Sequence, residues 1–374
     1  MGAQTIAAPV APVEPQIAVP TLINHSTPEL NHIRDLFMQG LYLQLIDKAT
    51  NAMQLDKDKG QAPDPELLYW RGFARRRCGL FDGAQADLKP LGNVTGWPRF
   101  LSAAELSKEL DVLLEQRPPH EHEIREGDNV IFRVYYNDDD EFFHTIVDAL
   151  PKGYQAASTL IGLQTQEIPV FIFNSAHYAE FVKFFTSLSQ GPLQGWWRIG
   201  NLNGTITISQ NNVLEPPLLS NCPDMARLMS HEITHQLIHH IVGDLQNFPA
   251  WFNEGTARCG EGTYKPEFYA QNDQKIKQLV EEDAIIPLSQ LVSARAFYHS
   301  VDQMKKGVQQ GDAYAQGFSM TRYLGTLLKG QKLGDFLDDV QEKQSFDAAL
   351  KQETGMTPSE FYQSWLDEIS DEHR

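Results

Sequence analysis

His231-Glu232-Ile233-Thr234-His235, followed by Pro249-Ala250-Trp251-Phe252-Asn253-Glu254-Gly255-Thr256-Ala257, is the stretch that decides how this chain is read. On an α-helix, residues i and i+4 lie on one face about one turn apart. His231 and His235 can therefore offer two imidazoles to one metal ion, with Glu232 to the side, close enough to reach a water held there. The helix that must carry them is legible. Leu228, Met229, Ile233, Leu237, Ile238, Ile241 and Val242 make the apolar face of a buried helix, with Pro223 near its start and Gly243 near its end.

Two imidazoles leave such a site incomplete, and three sources of a third ligand can be compared. The metzincin extension requires Gly at 238 and His at 241, where this chain has Ile238 and Ile241. His239 continues the i+4 series, but it lies a further turn along, about 6 Å from His235 by helix rise, and cannot easily join the same ion. The last source is a carboxylate from a second helix. Pro249 suits a first helical position, and Glu254 lies 19 residues beyond His235.

The rest of the composition limits the alternatives. The chain has 374 residues, with 31 Lys+Arg against 49 Asp+Glu and a formal net charge of −18. That excess of acid repels a phosphate backbone, which argues against nucleic acid as a partner. The densest basic run, Arg75-Arg76-Arg77, falls inside a helical pattern and is expected to be a solvated face. No apolar run reaches the ~18 residues of a membrane-spanning helix, so no transmembrane segment is expected. Cys78, Cys222 and Cys259 are far apart and form no CxxC pair. This excludes a Cys-rich zinc site and a disulfide-stapled miniprotein, and buried thiols are expected in preference to a disulfide.

Outward from the motif, four segments can be drawn. Residues 1–25, rich in Ala, Pro and Val, read as a flexible linker. They lack the basic start and apolar core of a signal peptide, and the accompanying expectation is an exported protein, periplasmic or secreted, whose signal is absent from this sequence. Residues 26–118 hold two similar helical units. Gly40 and Tyr42 precede Leu45, Ala49 and Ala52, while Gly79 and Phe81 precede Ala84, Leu88 and Leu91. This resembles a tetratricopeptide repeat, with Gly72 at the usual glycine of the second unit and an insertion around Asp56–Asp64. Two units are fewer than the about three that stand alone, so this region is expected to dock on the remainder and to offer a groove for a protein partner. An ordinary four-helix subdomain fits the pattern equally.

Residues 119–270 form the next segment, set off by proline and charge over 117–129. Strands are expected at 130–136, 168–173 and 204–209, the last half exposed by its alternation. Asp138 to Glu141 open a long helix to about Leu163 as a dipole-favoured N-terminus, and a short helix is expected over Phe181–Leu188. Residues 271–374 are a helical lobe with segments Gly330–Gln344, Phe346–Thr354 and Thr357–Ile369, the last opened by a Thr357/Glu360 capping box. Strands in front and helices behind make the fold class α+β.

HExxH followed after 18 residues by Glu, inside a Trp-x-x-Glu-Gly-x-Ala run, resembles the gluzincin clan of zinc metallopeptidases. It is most similar to the bacterial peptidase-MA-like proteins, which often carry tetratricopeptide repeats. The resemblance spans about residues 125–370 and implies a zincin-like catalytic domain with a small mixed sheet. It implies one Zn2+ per chain held by His231, His235 and Glu254, with Glu232 as general base. Strand 204–209 would align an extended peptide by backbone hydrogen bonds. The oxyanion of peptide hydrolysis needs a further donor, and the resemblance favours a tyrosine near Tyr314, 60 residues past Glu254. An ordinary core tyrosine is the competing reading there, and Tyr323 is the fallback donor.

The chain also departs from its relatives. Arg258 stands where the thermolysin branch has Asp, and Gly200-Asn201-Leu202-Asn203-Gly204 stands where the aminopeptidase branch has Gly-x-Met-Glu-Asn. Endopeptidase action is therefore expected over aminopeptidase action. Asn253 is placed to shape the site. Trp196 and Trp197 are expected to anchor a loop in preference to lining a groove, and His239 and His240 to be surface or supporting residues. The alternative function is a catalytically silent, peptidase-like protein that binds a peptide or protein partner through its helical repeats.

Overall fold

Short polar caps set the first helices. Thr27 accepts from the Leu30 amide at the start of α1 (Pro28–Met38), and Asp64 accepts from Glu66 at the start of α3 (Pro65–Arg77). Ser102 and Glu105 form a reciprocal box at α5 (Ala103–Gln116). Between them lie α2 (Tyr42–Asp58) and α4 (Phe81–Leu88). The turns into α2 and α4 pass through Gly40 at φ +73° and Gly79 at φ +75°, left-handed conformations that favour glycine. The extra residues around 56–64 lengthen α2 and form the loop after it. In this computed structural model the described residues are 27–94, 102–162, 167–174, 176–178, 180–181, 198–199, 202–203, 205–209, 224–308 and 310–372. The lead over 1–25, Trp196, Trp197, Cys222, Pro223 and most of the 181–188 segment lie outside them.

The basic run is not a solvated face. Arg76 is 1% exposed and pairs with Glu109 of α5, while Arg71 and Arg75 both pair with Asp87 of α4. The guanidinium groups point between helices, where acids on two neighbouring elements meet them.

A four-stranded sheet follows, built from β1 (His120–Glu126), β2 (Asn129–Tyr136), β3 (Ile168–Phe173) and β6 (Ile206–Ser209) in the order β1-β2-β3-β6. β1 pairs antiparallel with β2, and β2, β3 and β6 run parallel, with Phe132 opposite Ile168 and Val170 opposite Ile206. β4 (Arg198–Ile199) and β5 (Leu202–Asn203) make a separate antiparallel ribbon. β1 is a strand where the sequence suggested only a boundary. Its charged residues are held by Arg133 of β2, which pairs with Glu121 and, at 2.7 Å, with Glu123.

Alternation along β2 and β3 sends side chains to opposite sides of the sheet. Phe132, Val134, Val170 and Ile172 enter one hydrophobic core, while Tyr135, Phe171 and Phe173 enter the core made by the N-terminal helices. β6 differs from expectation, because Thr205 to Ser209 are all buried. Thr207 and Ser209 lie in register with Phe171 and Phe173, on the face the N-terminal helices cover. Its polar face is shielded by another part of the chain instead of by water.

The other face of the sheet carries α6 (Glu141–Ile161), capped by Asp140, and then α7 (Met225–Val242). The helices α8 (Ala250–Tyr264), α9 (Glu267–Glu281), α10 (Ala294–Lys305), α11 (Ala313–Leu327), α12 (Leu333–Lys343), α13 (Phe346–Thr354) and α14 (Pro358–Glu372) complete the chain. Their apolar faces share one core with α6 and α7. Thr357 and Glu360 make the expected box at the start of α14. The fold is thus mixed α+β and mostly helical. Cys78 and Cys259 are buried free thiols. Among the described residues no helix is long and apolar enough to cross a membrane.

The N-terminal helices also touch the end of α7. The Asp244 amide donates to the Gln39 carbonyl at 2.8 Å, and the Tyr42 hydroxyl donates to Asp244 Oδ2 at 3.1 Å. A Cβ on Gly243 would stand 2.1 Å from the Gln39 oxygen, so the two turns meet backbone to backbone.

Candidate metal centre

Asp224 caps α7 by accepting from the Arg227 amide, which starts the helix two turns before His231. Two glycines let neighbouring helices close on this part of it. A Cβ on Gly153 of α6 would lie 2.7 Å from the Ser230 amide, and one on Gly260 of α8 would lie 2.3 Å from Thr234 Oγ1. The first amides of α8, which an isolated helix leaves unsatisfied, donate to the loop before α10. Ala250 bonds the Val292 carbonyl at 2.8 Å and Trp251 bonds that of Leu291 at 3.0 Å. Trp251 also stacks on Phe361 with ring centroids 5.6 Å apart.

These contacts bring His231, His235 and Glu254 together. The two Nε2 atoms are 3.1 Å apart, and each lies 3.5 Å from Glu254 Oε2. Four-coordinate zinc, with bonds of about 2.0–2.2 Å, sets neighbouring donors about 3.4 Å apart, so the donor set fits a small divalent cation. Supporting contacts fix the ring orientations. His231 Nδ1 donates to Glu261 Oε1 at 2.9 Å and His235 Nδ1 donates to Asn253 Oδ1 at 3.1 Å. Both partners accept there, so each Nδ1 carries the hydrogen and each Nε2 is left to the centre of the site. Asn253 thus shapes the site as its position suggested.

The electrostatics favour positive charge at the same point. Burial pushes the His231 imidazolium down, but Glu254 and Glu261 outweigh it and carry its pKa to about 10. Burial pushes Glu254 up, and His235 with His231 overcomes that and holds the carboxyl well below its ordinary range. Glu232 is buried, and burial raises its carboxyl to about 7 against the opposing pull of the two imidazoles. A carboxyl poised there can exchange a proton near neutrality.

Tyr314 opens α11 and is half-buried, its ring edge-on to Phe297 at 5.3 Å and under the Arg258 guanidinium at 5.5 Å. Burial, then the charge of Glu254, pushes its hydroxyl well above the ordinary phenol range, so it keeps its proton. Tyr323 does not reach this place, since its hydroxyl bonds Ser364 Oγ at 2.6 Å. His239 Nδ1 donates to the Gly243 carbonyl at the end of α7, and Gln236 donates to His240, so neither ring joins the three donors. Two residues at the site were not read from the sequence. Glu261 lies seven residues after Glu254 on the same helix face, a signal that was available. Tyr298, whose hydroxyl donates to Glu254 Oε1 at 2.5 Å, comes from α10 and carries no local signal.

The chain is similar to the glutamyl aminopeptidase of Bos taurus, at 24% identity over 196 residues that make up 48% of this chain and 20% of that protein. The chain therefore spans a small part of the curated relative it matches. No family profile and no solved structure matches it.

Proposed function

We propose that this protein is a zinc-dependent peptidase, with one Zn2+ per chain held by His231, His235 and Glu254. The observation that carries the reading is the convergence of two Nε2 atoms and one carboxylate oxygen within 3.5 Å of one another. The likeness to an aminopeptidase supports peptide as the substrate class. Zinc, when bound, supplies Lewis acidity and draws a water's pKa towards ~7. Glu232 accepts the proton of the attacking water and passes it to the leaving nitrogen. Tyr314 keeps its hydroxyl hydrogen and donates it to the oxyanion of the peptide carbonyl.

The named relative acts at amino termini, but Gly200-Asn201-Leu202-Asn203-Gly204 bears no acid to hold a free amine. The proposal is therefore endopeptidase action. The zincin-like character of the lobe, a partner role for the N-terminal helices and an exported location belong to the same proposal, resting on the family resemblance and the Ala/Pro/Val-rich lead.

Metal analysis and cleavage of peptide libraries with blocked and with free amino termini test it. Parent and Glu232→Gln should each hold about one zinc, and the variant should lose about 10²–10⁴-fold in kcat. A fully metallated parent that cuts no library peptide favours the catalytically silent binding protein, and cleavage confined to peptides with free amino termini overturns the endopeptidase assignment.

A further inference from the structure

Glu254 presents its two oxygens unequally. Oε2 faces both imidazoles at 3.5 Å, while Oε1 accepts from the Tyr298 hydroxyl at 2.5 Å. Tyr298 as a residue is 45% exposed. Its place is fixed through α10. Phe297 beside it is fully buried, and the loop leading into α10 receives the first two amides of α8 four and three residues before Glu254. The element that carries the carboxylate and the element that carries the phenol are thus tied at a second point, which sets the hydroxyl against Oε1.

We infer that Tyr298 is a positioning residue for the third ligand, restricting Glu254 to ligation through one oxygen and keeping a coordination position open. A carboxylate with both oxygens free can turn and take two positions on an ion, whereas a phenol on Oε1 opposes that turn. The inference rests on the zinc reading above and deepens it.

The test uses the full chain loaded with Zn2+ and, separately, Co2+, and compares the parent with Tyr298→Phe and with His299→Ala, an exposed neighbour on α10. X-ray absorption of the zinc forms counts first-sphere oxygens, and visible absorption of the cobalt forms reports four against five coordination. Chelator competition gives affinity. Expected are one carboxylate oxygen in the parent and in His299→Ala, a rise in coordination number in Tyr298→Phe, and about tenfold weaker zinc binding in that variant. An unchanged coordination number in Tyr298→Phe overturns the inference whatever its affinity, and leaves the zinc reading standing. Two carboxylate oxygens on zinc in the parent overturn it as well, a measurement that holds even if the variant fails to fold. A parent that takes up no zinc overturns the zinc reading, and the inference falls with it.

Discussion

Among the described residues charge is buried in two places, and the two are built differently. Among the N-terminal helices, Asp87 meets Arg71 at 2.6 Å and Arg75 at 2.9 Å, Glu109 meets Arg76, and Glu66 meets Arg34. Each acid there has a permanent cation from a neighbouring helix. Around α7 and α8, Glu232, Glu254 and Glu261 gather about two imidazoles, with Arg227 3.4 Å from Glu261. The first set is balanced by its own side chains and serves the packing. The second is rich in acid and centres on a point where three donor atoms converge, and on the zinc reading proposed above that is how a cation site differs from a structural ion pair.

The comparison can be broken at either end. The largest effect is expected in the balanced set. Glu109→Ala leaves Arg76, 1% exposed, without its counter-charge, and unpairing a buried charge costs about 3–5 kcal/mol. Urea unfolding should show that loss while zinc content stays near one per chain. A change below 1 kcal/mol would mean that Arg76 finds water or another acid, and the contrast would weaken. In the acid-rich set the order of effects should reverse. Glu261→Gln removes the charge behind His231 and should weaken zinc binding about 10–100-fold with little change in the unfolding midpoint of the metal-free protein. Unaltered affinity by chelator titration would reduce Glu261 to a packing contact. The smallest effect is expected where the two regions meet. Tyr42→Phe deletes the hydrogen bond to Asp244 and should cost about 1.5 kcal/mol. Calorimetry reads it, and a single transition that shifts as one unit is the expected result. Two transitions, of which only the first moves, would show that the regions unfold independently.

What was legible in the sequence follows from what is local. The helix of His231 and His235 shows itself because its apolar positions repeat at helical spacing, and β3 because six apolar residues run together. Glu254 is found by its distance along the chain and the helix around it. What was hidden depends on distant neighbours. β1 alternates one polar residue with another and follows Pro118-Pro119. Nothing in it marks a strand until Arg133 is seen across from Glu121 and Glu123. Thr207 and Ser209 read as a wet face, yet helices from the first third of the chain cover them. Arg75 and Arg76 mislead for the same reason, since their acids lie 12 and 33 residues away. Tyr298 is 44 residues from the carboxylate it touches, and no spacing rule anticipates that pair.

The turn at Gln39, seated on Gly243 and Asp244, gives α7 a clamp at its tail as well as walls along its length. From His235 to that clamp is eight residues, about 12 Å of helix. Rotation of the cylinder about its own axis would have to drag the α1–α2 elbow with it. The aim of both imidazoles is therefore secured partly from outside the lobe that contains them, and a molecule grasping the first helices would have its hand on the same shaft.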